Sequence, residues 1–197
     1  MHLNRANKGF AICVAGVSGA GKTTLLRAQQ ESEIRDTQIS GSSVVKAIIA
    51  PATVQELDAW PLEKRNAVRT QSIQWLRGQQ IQCDGRLLVD GHFTLRNRIT
   101  GKIEPIFTAE DQAFFQALVL IHPSPESVLS QRETSTRNRR PESIEAIAAH
   151  IEYEMKEGRR LAQLMGVPLL ELNEADVTGR LRSLVEFLNL VAPLESS

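Results

Sequence analysis

The chain has no surplus of charge: 23 lysines and arginines stand against 23 aspartates and glutamates in 197 residues. A general binder of nucleic acid or of an anionic membrane shows a basic excess, so neither partner is expected. Any local basic cluster then needs a local explanation. Cysteine is scarce. Cys13 lies in an apolar run and Cys83 precedes a turn, with no C-x-x-C or Cys/His cluster. That reads as two free thiols in a reducing compartment, not as a disulfide or zinc site. No hydrophobic run reaches membrane-spanning length, and Met1-His2-Leu3-Asn4-Arg5 opens no apolar leader, so a cytoplasmic protein is expected. Internal repeats and low-complexity tracts are also lacking. Length and a hydrophobic content of 42% suit one domain with one sizeable core.

What is present is an alternation of short apolar runs and amphipathic segments. Phe10–Ala15 is a continuous apolar run bounded by turn signals, as expected of a strand buried on both faces. A glycine-rich loop follows, then a helix to about Gln30. Asp36–Ser40 reads as a short second strand. Val44–Ala50 and Thr53–Leu57 read as short helices separated by Pro51. Pro61 opens a longer helix to about Gln80, with proline in its first turn. Arg86–Asp90 is the next strand, followed by an irregular stretch over His92–Thr108. Ala117–His122 is an apolar strand stopped by Pro123 and Pro125. A helix carries Val128 and Leu129 toward Arg132, and Glu142–Leu164 reads as one long helix opened by Pro141 and ended near Gly166. Pro168–Leu172 is the last strand and Thr178–Leu190 the last helix. Strands alternating with helices predict an α/β fold with a parallel sheet covered on both faces. Ligands of such sheets bind beyond the carboxyl ends of the strands, so the loops after Ala15, Asp90, His122 and Leu172 should share one rim.

Gly16-Val-Ser-Gly-Ala-Gly21-Lys22-Thr23 matches the phosphate-binding pattern G-x-x-x-x-G-K-[ST] without a mismatch. Glycines let consecutive backbone N–H groups curl inward onto phosphate oxygens. The helix that follows presents its positive end to the same anion. Gly16, Ser18, Gly19, Ala20, Gly21, Lys22, Thr23 and Thr24 are therefore the candidate nucleotide cradle. Lys22 is expected to reach the β- and γ-phosphates, and Thr23 to offer its hydroxyl to Mg²⁺. A chance glycine-rich turn would lack the strand before and the helix after, and both are present here.

A P-loop enzyme needs a carboxylate at the end of a neighbouring strand to hold the metal shell. Asp90, ending Leu87-Leu88-Val89-Asp90, has that form; the plainer reading is a turn aspartate before glycine. His92 lies two residues on, at the same rim, as a candidate substrate contact or a structural histidine. Arg96 and Arg98 follow where a second anion would sit, or are merely solvated. Arg132, Arg137, Arg139 and Arg140 fall within nine residues. They form either an exposed basic loop or a lid whose planar guanidiniums close on the charge of a transferring phosphoryl group.

With these motifs in view, the chain resembles the archaeal-type adenylate kinases among the P-loop nucleoside monophosphate kinases. Gly16–Thr24 resembles that family's G-x-P-G-x-G-K-[ST]-T loop. Leu88-Val89-Asp90-Gly91-His92 resembles its I-D-T-H segment, and Arg96 falls where the family has a basic residue. Val128-Leu129-Ser130-Gln131-Arg132 with Thr136-Arg137-Asn138-Arg139 is similar to its I-L-x-R-x…T-R-N-R lid. The resemblance implies a P-loop NTPase fold with a five-stranded parallel sheet, nucleotide kinase-like. It implies one kinase domain over 1–197, with acceptor-site helices at about 41–80 and a lid at about 132–141. It further implies ATP with Mg²⁺ as donor and a nucleoside monophosphate as acceptor. Lys22, Arg132, Arg137 and Arg139 would be catalytic, Thr23 and Asp90 would hold the metal, and His92 and Arg96 would contact the acceptor. The donor-base loop falls near Asn173–Val177. Some family members are trimers, which leaves a homo-oligomer open.

The chain departs from that pattern on the acceptor side. Gly91 replaces a threonine, Asn97–Pro105 replaces a glycine- and proline-rich loop, and Leu57-Asp58 stands where the family often has Met-Arg. AMP, the acceptor the resemblance implies, stays the default despite these departures. The alternatives are a kinase of a different small molecule, with Asp58 or Asp90 as base for a hydroxyl acceptor, and a P-loop ATPase serving as a nucleotide-dependent switch. A nucleic-acid-processing ATPase is disfavoured by the short, neutral chain.

Overall fold

A computed structural model describes residues 9–32, 36–134 and 142–193. The apolar run near the N-terminus forms strand β1, Ala11–Ala15, in which every residue is buried. A strand with no polar face must be covered on both sides, which places it in the middle of a parallel sheet. Strand β2 (Thr37–Ser40), β3 (Leu87–Asp90), β6 (Ala117–Ile121) and β7 (Leu169–Leu172) complete that sheet in the order β2-β3-β1-β6-β7. All four pairings are parallel. The expected α/β fold with a five-stranded parallel sheet and helices on both faces is the fold observed.

Because successive side chains of a strand point to opposite faces, β1 divides its residues between two cores. Ala11, Cys13 and Ala15 join Val44, Ile73, Leu76 and a group of phenylalanines on one face. Ile12 and Val14 join Leu25, Leu26, Val128, Leu184 and Leu188 on the other. The first face is covered by helices α2 (Gly41–Ile49) and α4 (Leu62–Gln82). The second is covered by α1 (Lys22–Ser32), α6 (Pro125–Glu133) and α8 (Val177–Val191). The long helix α7 (Ile144–Met165) contributes Leu161 and Ala162 to the first core and Ile147 and Ile151 to the second. It stops at Gly166, whose left-handed backbone (φ 66°) closes the helix. A short helix α3 (Val54–Ala59) starts with a capping box between Thr53 and Glu56.

The stretch His92–Thr108 is not irregular. It holds a two-stranded antiparallel hairpin, β4 (Thr94–Arg96) and β5 (Ile103–Pro105), and Thr108 then caps helix α5 (Ala109–Phe114) through a box with Asp111. Three-residue strands carry too little periodicity to be read from sequence. Such a hairpin is marginal by itself and is held by its surroundings. At its tip the Asn97 side chain accepts from the N–H groups of Ile99 and Thr100, both at 2.9 Å, and Gly101 adopts φ 72°. Asp58 of α3 accepts from Arg98 Nη1 at 2.9 Å, which ties α3 to the tip. Pro61 precedes α4 as its N-cap instead of sitting in the first turn. Among the described residues, no helix is long and apolar enough to cross a membrane.

Candidate active site

The site lies where β1 turns into α1. Gly16, Gly19 and Gly21 all have positive φ, at 148°, 95° and 89°. A Cβ on Gly16 would stand 2.5 Å from the carbonyl oxygen of Ile121. Only glycine lets the loop turn that close to β6. The loop ends at Lys22, the first residue of α1, whose side chain is buried. Its Nζ donates to the carbonyls of Gly16 at 2.6 Å and Val17 at 3.3 Å. It lies 3.9 Å from Asp90 Oδ1. Next to it, the Thr23 hydroxyl donates to Asp90 Oδ2 at 3.5 Å.

The sheet makes this meeting unavoidable. β1 and β3 are adjacent and parallel with Val14 opposite Asp90, so the loop after one and the last residue of the other lie on the same rim. A hydroxyl and a carboxylate side by side form a hard oxygen donor set that fits Mg²⁺, which keeps most of its shell as water and substrate phosphate. Among the described residues, no cluster of three or more His, Cys, Asp and Glu forms an all-protein metal cage.

His92 lies close enough to Lys22 to feel its charge. Its Nδ1 is buried and has no hydrogen-bond partner. Burial, then the neighbouring charge of Lys22, hold the ring well below the usual histidine range, so it is neutral at pH 7. Gly91 before it approaches Cys13 closely: an added Cβ would lie 3.2 Å from Cys13 Sγ. Cys13 itself is buried and its thiol pKa is pushed up strongly by that burial, so it is an inert packing group.

Two arginines expected at the rim meet on one carboxylate. Arg132, in α6, donates from Nε to the carbonyl of Ser18 in the P-loop at 2.8 Å and from Nη1 to Glu142 Oε2 at 2.5 Å. Arg96, in β4, reaches the carbonyls of Gly101 and Ala146 at 3.1 and 2.9 Å, and its Nε lies 3.2 Å from Glu142 Oε1. Glu142 therefore lies between them. Arg137 and Arg139 fall outside the described residues, as does most of the expected lid. Arg98 turns away to Asp58, whose carboxylate it occupies.

Below this rim lies a polar cluster not expected from the sequence. Glu154 of α7 is buried and accepts from the N–H groups of Phe93 and Thr94 at 2.9 and 2.7 Å, and also from the Thr94 hydroxyl. Burial raises its pKa. His150, one turn earlier, contacts the Thr94 hydroxyl at 3.3 Å. Its pKa is lowered to about 4, first by burial and then by the charge of Arg96. The available signal was spacing: His150, Glu154 and Gly158 recur every fourth residue, which puts them on one face of a helix.

A cleft of about 160 Å³ opens beside the P-loop. Ala20, Gly21 and Thr24 line it from the P-loop and α1, Gln131 from α6, and Ala175 and Arg180 from the segment after β7. The loop expected to hold a donor base thus borders the same cradle.

A family described as an AAA domain matches residues 15–148. No curated protein matches the chain. Among solved structures, a shikimate kinase from Acinetobacter baumannii in complex with shikimate superimposes with a TM-score of 0.57 at 17% identity, covering 94% of this chain and 97% of that one. A shikimate kinase from Bacteroides thetaiotaomicron gives 0.59 at 12% identity, covering 91% and 98%. A deoxyadenosine kinase from M. mycoides, with the products dCMP and a flexible dCDP bound, gives 0.52 at 12% identity, covering 92% and 99%. At these identities the likeness is one of fold, that of P-loop kinases generally.

Proposed function

As the chain belongs to the AAA domain family of P-loop proteins, we propose that it is an ATP-dependent phosphotransferase passing the γ-phosphoryl group of ATP to a small-molecule acceptor, a nucleoside monophosphate in the first instance. The observation that carries this reading is the convergence of Lys22, Thr23 and Asp90 within 4 Å on one rim, with Arg132 bonded to the P-loop beside them. A nucleotide switch needs the first three groups alone. An arginine standing by the phosphates serves transfer.

In this reading the loop N–H groups and Lys22 bind the donor phosphates. Lys22 exchanges its two carbonyl partners for phosphate oxygens. Thr23 and Asp90 hold Mg²⁺, which offsets charge on the β- and γ-phosphates when bound. Arg132 turns from Glu142 to the transferring group, together with Arg137 and Arg139. His92 and Arg96 face the acceptor. A phosphate acceptor already ionised at pH 7 needs no catalytic base, so the protein has to align the reactants and neutralise charge. The chain then acts as one kinase domain, with helices of residues 41–80 over the acceptor and a lid at 132–141, in the cytoplasm, as a monomer or a homo-oligomer.

A second reading within the same class is favoured by His92. A buried, neutral ring with an unpartnered nitrogen can accept a hydrogen bond from an acceptor hydroxyl. Of the two carboxylates expected as a base, Asp58 is taken up by Arg98 and Asp90 stands against Thr23 and Lys22. The deciding experiment is purified protein with Mg-ATP and a panel of acceptors: nucleoside monophosphates, nucleosides, deoxynucleosides and shikimate. ADP formation that depends on one acceptor supports a kinase and identifies its class. Slow phosphate release indifferent to every acceptor would replace it with the switch.

A further inference from the structure

Arg180 has no part in the roles assigned so far, yet it is buried against the P-loop. It sits in the first turn of α8, behind the N-cap Asp176, which accepts from Gly179 N–H at 2.7 Å. Its Nε donates to the carbonyl of Glu174 at 2.6 Å, and its Nη1 to the carbonyl of Ala20 at 3.2 Å. The first carbonyl belongs to the loop after β7 and the second to the phosphate cradle. A Cβ on Gly21 would come within 3.2 Å of the same Nη1. Burial pulls the guanidinium below the ordinary arginine range, and Glu174 and Asp176 pull it back up. It nonetheless stays charged at any working pH.

A buried cation is costly unless its donors are satisfied. A residue needed only to fill space here would be apolar. A guanidinium instead offers N–H groups in a rigid plane, so two acceptors held by it keep a fixed separation and angle. The two carbonyls it joins lie on the loops that border the 160 Å³ cleft, and Arg180 itself lines that cleft. The Glu174 side of the loop is pinned again by Ser183, whose hydroxyl donates to Glu174 Oε1 at 2.7 Å.

We infer that Arg180 is a positioning residue for the donor. It locks the base-side loop Asn173–Val177 to the P-loop, so that the nucleobase and the triphosphate are gripped as one unit. The inference rests on the reading of the adjoining loop as a nucleotide cradle.

The test separates the two ends of the donor. Calorimetric titrations of the full chain use Mg-ATP, which carries both base and phosphates, and magnesium tripolyphosphate, which carries phosphates alone. In Arg180→Met the Kd for ATP should rise about tenfold while that for tripolyphosphate changes by less than about twofold, since a lost pre-organised contact shows as affinity. In turnover, KM for ATP should rise with kcat at saturation nearly unchanged. Arg180→Lys, which keeps the charge but lacks the rigid planar fork, should recover part of the ATP affinity. Equal weakening of both probes would make Arg180 a support of the P-loop alone and overturn the inference, as would no change in either. If Arg180→Met does not fold, Arg180→Lys must still weaken ATP more than tripolyphosphate, and an unchanged ratio overturns the inference. Wild-type protein that binds neither probe overturns the cradle reading and this inference with it. Wild-type binding with an indifferent variant overturns the inference alone.

Discussion

Lys22 is the most constrained cation of the site. It is buried, held by two P-loop carbonyls and within 4 Å of Asp90. Lys22→Ala removes the charge that meets the β- and γ-phosphates but deletes no part of either core, so transfer should be abolished while the melting transition stays cooperative. Unchanged turnover in a coupled ADP assay would end the phosphate-cradle assignment. His150 carries a different expectation. Its folded pKa of about 4 lies below the ordinary 6.5, so the unfolded chain binds the proton first as pH falls. Stability should therefore decline from about pH 6.5 to pH 4 and then level, with a ceiling of about 3 kcal/mol at 1.36 kcal/mol per pH unit. Glu154, with its pKa raised, acts oppositely, costing stability as pH rises above its ordinary 4.5. The diagnostic is thus the difference between wild type and His150→Gln in denaturant melts at pH 7 and pH 4.5. The variant should lose less stability over that span, and identical slopes would remove His150 as the source.

Among the elements, α7 does the most to shape the proposed acceptor side. Its N-terminal end meets Arg96 through the Ala146 carbonyl. Its middle supplies His150 and Glu154, and its later turns press on Phe93. Gly158 permits that approach, because a Cβ there would lie 2.7 Å from the Phe93 ring. Gly158→Ala should cost about 1–3 kcal/mol by overpacking. It should also disturb acceptor binding more than ATP binding, because Phe93 lies next to His92. A stability change with acceptor KM untouched would leave α7 a purely structural support. The lid proposed for residues 132–141 lies mostly outside the described residues, so its expectations rest on the sequence. Arg137→Ala and Arg139→Ala should each lower kcat more than they weaken ATP binding, since an arginine on the transferring group contributes factors of about 10³–10⁵. Weakened binding with kcat intact would reduce the segment to an anchor. The hairpin β4–β5 shows why other elements escaped a sequence reading. Its strands are three residues long, and its stability comes from Asp58 and Glu154, both distant in the chain. The signal that could have marked α5 is the Thr108–Asp111 capping box, T-x-x-D, which the expectation of an irregular stretch passed over.

For the whole molecule, the two cores on either face of one sheet make ligand binding and folding a single linked equilibrium. Mg-ATP at about 100 times its Kd should stabilise the chain by about 2.7 kcal/mol through mass action. Chelating the metal with EDTA should remove much of that gain, because Thr23 and Asp90 would then have no cation to share with the phosphates. A melting temperature indifferent to ATP, with or without metal, would refute nucleotide binding at this site.

The sequence by itself determined the parallel sheet, the P-loop and the acid that faces it. These rest on local facts: unbroken apolar runs that must be covered on both sides, glycines that only a tight anion-binding loop requires, and a strand ending in aspartate. Lys22, Thr23 and Asp90 were legible because adjacent parallel strands carry their loops to a common rim. Tertiary structure alone decided which charges meet. Glu142 draws together Arg96 and Arg132, Arg98 takes up Asp58, and Arg180 joins Ala20 to Glu174. None of these pairings follows from spacing along the chain, since each depends on where distant loops come to rest once both cores are packed.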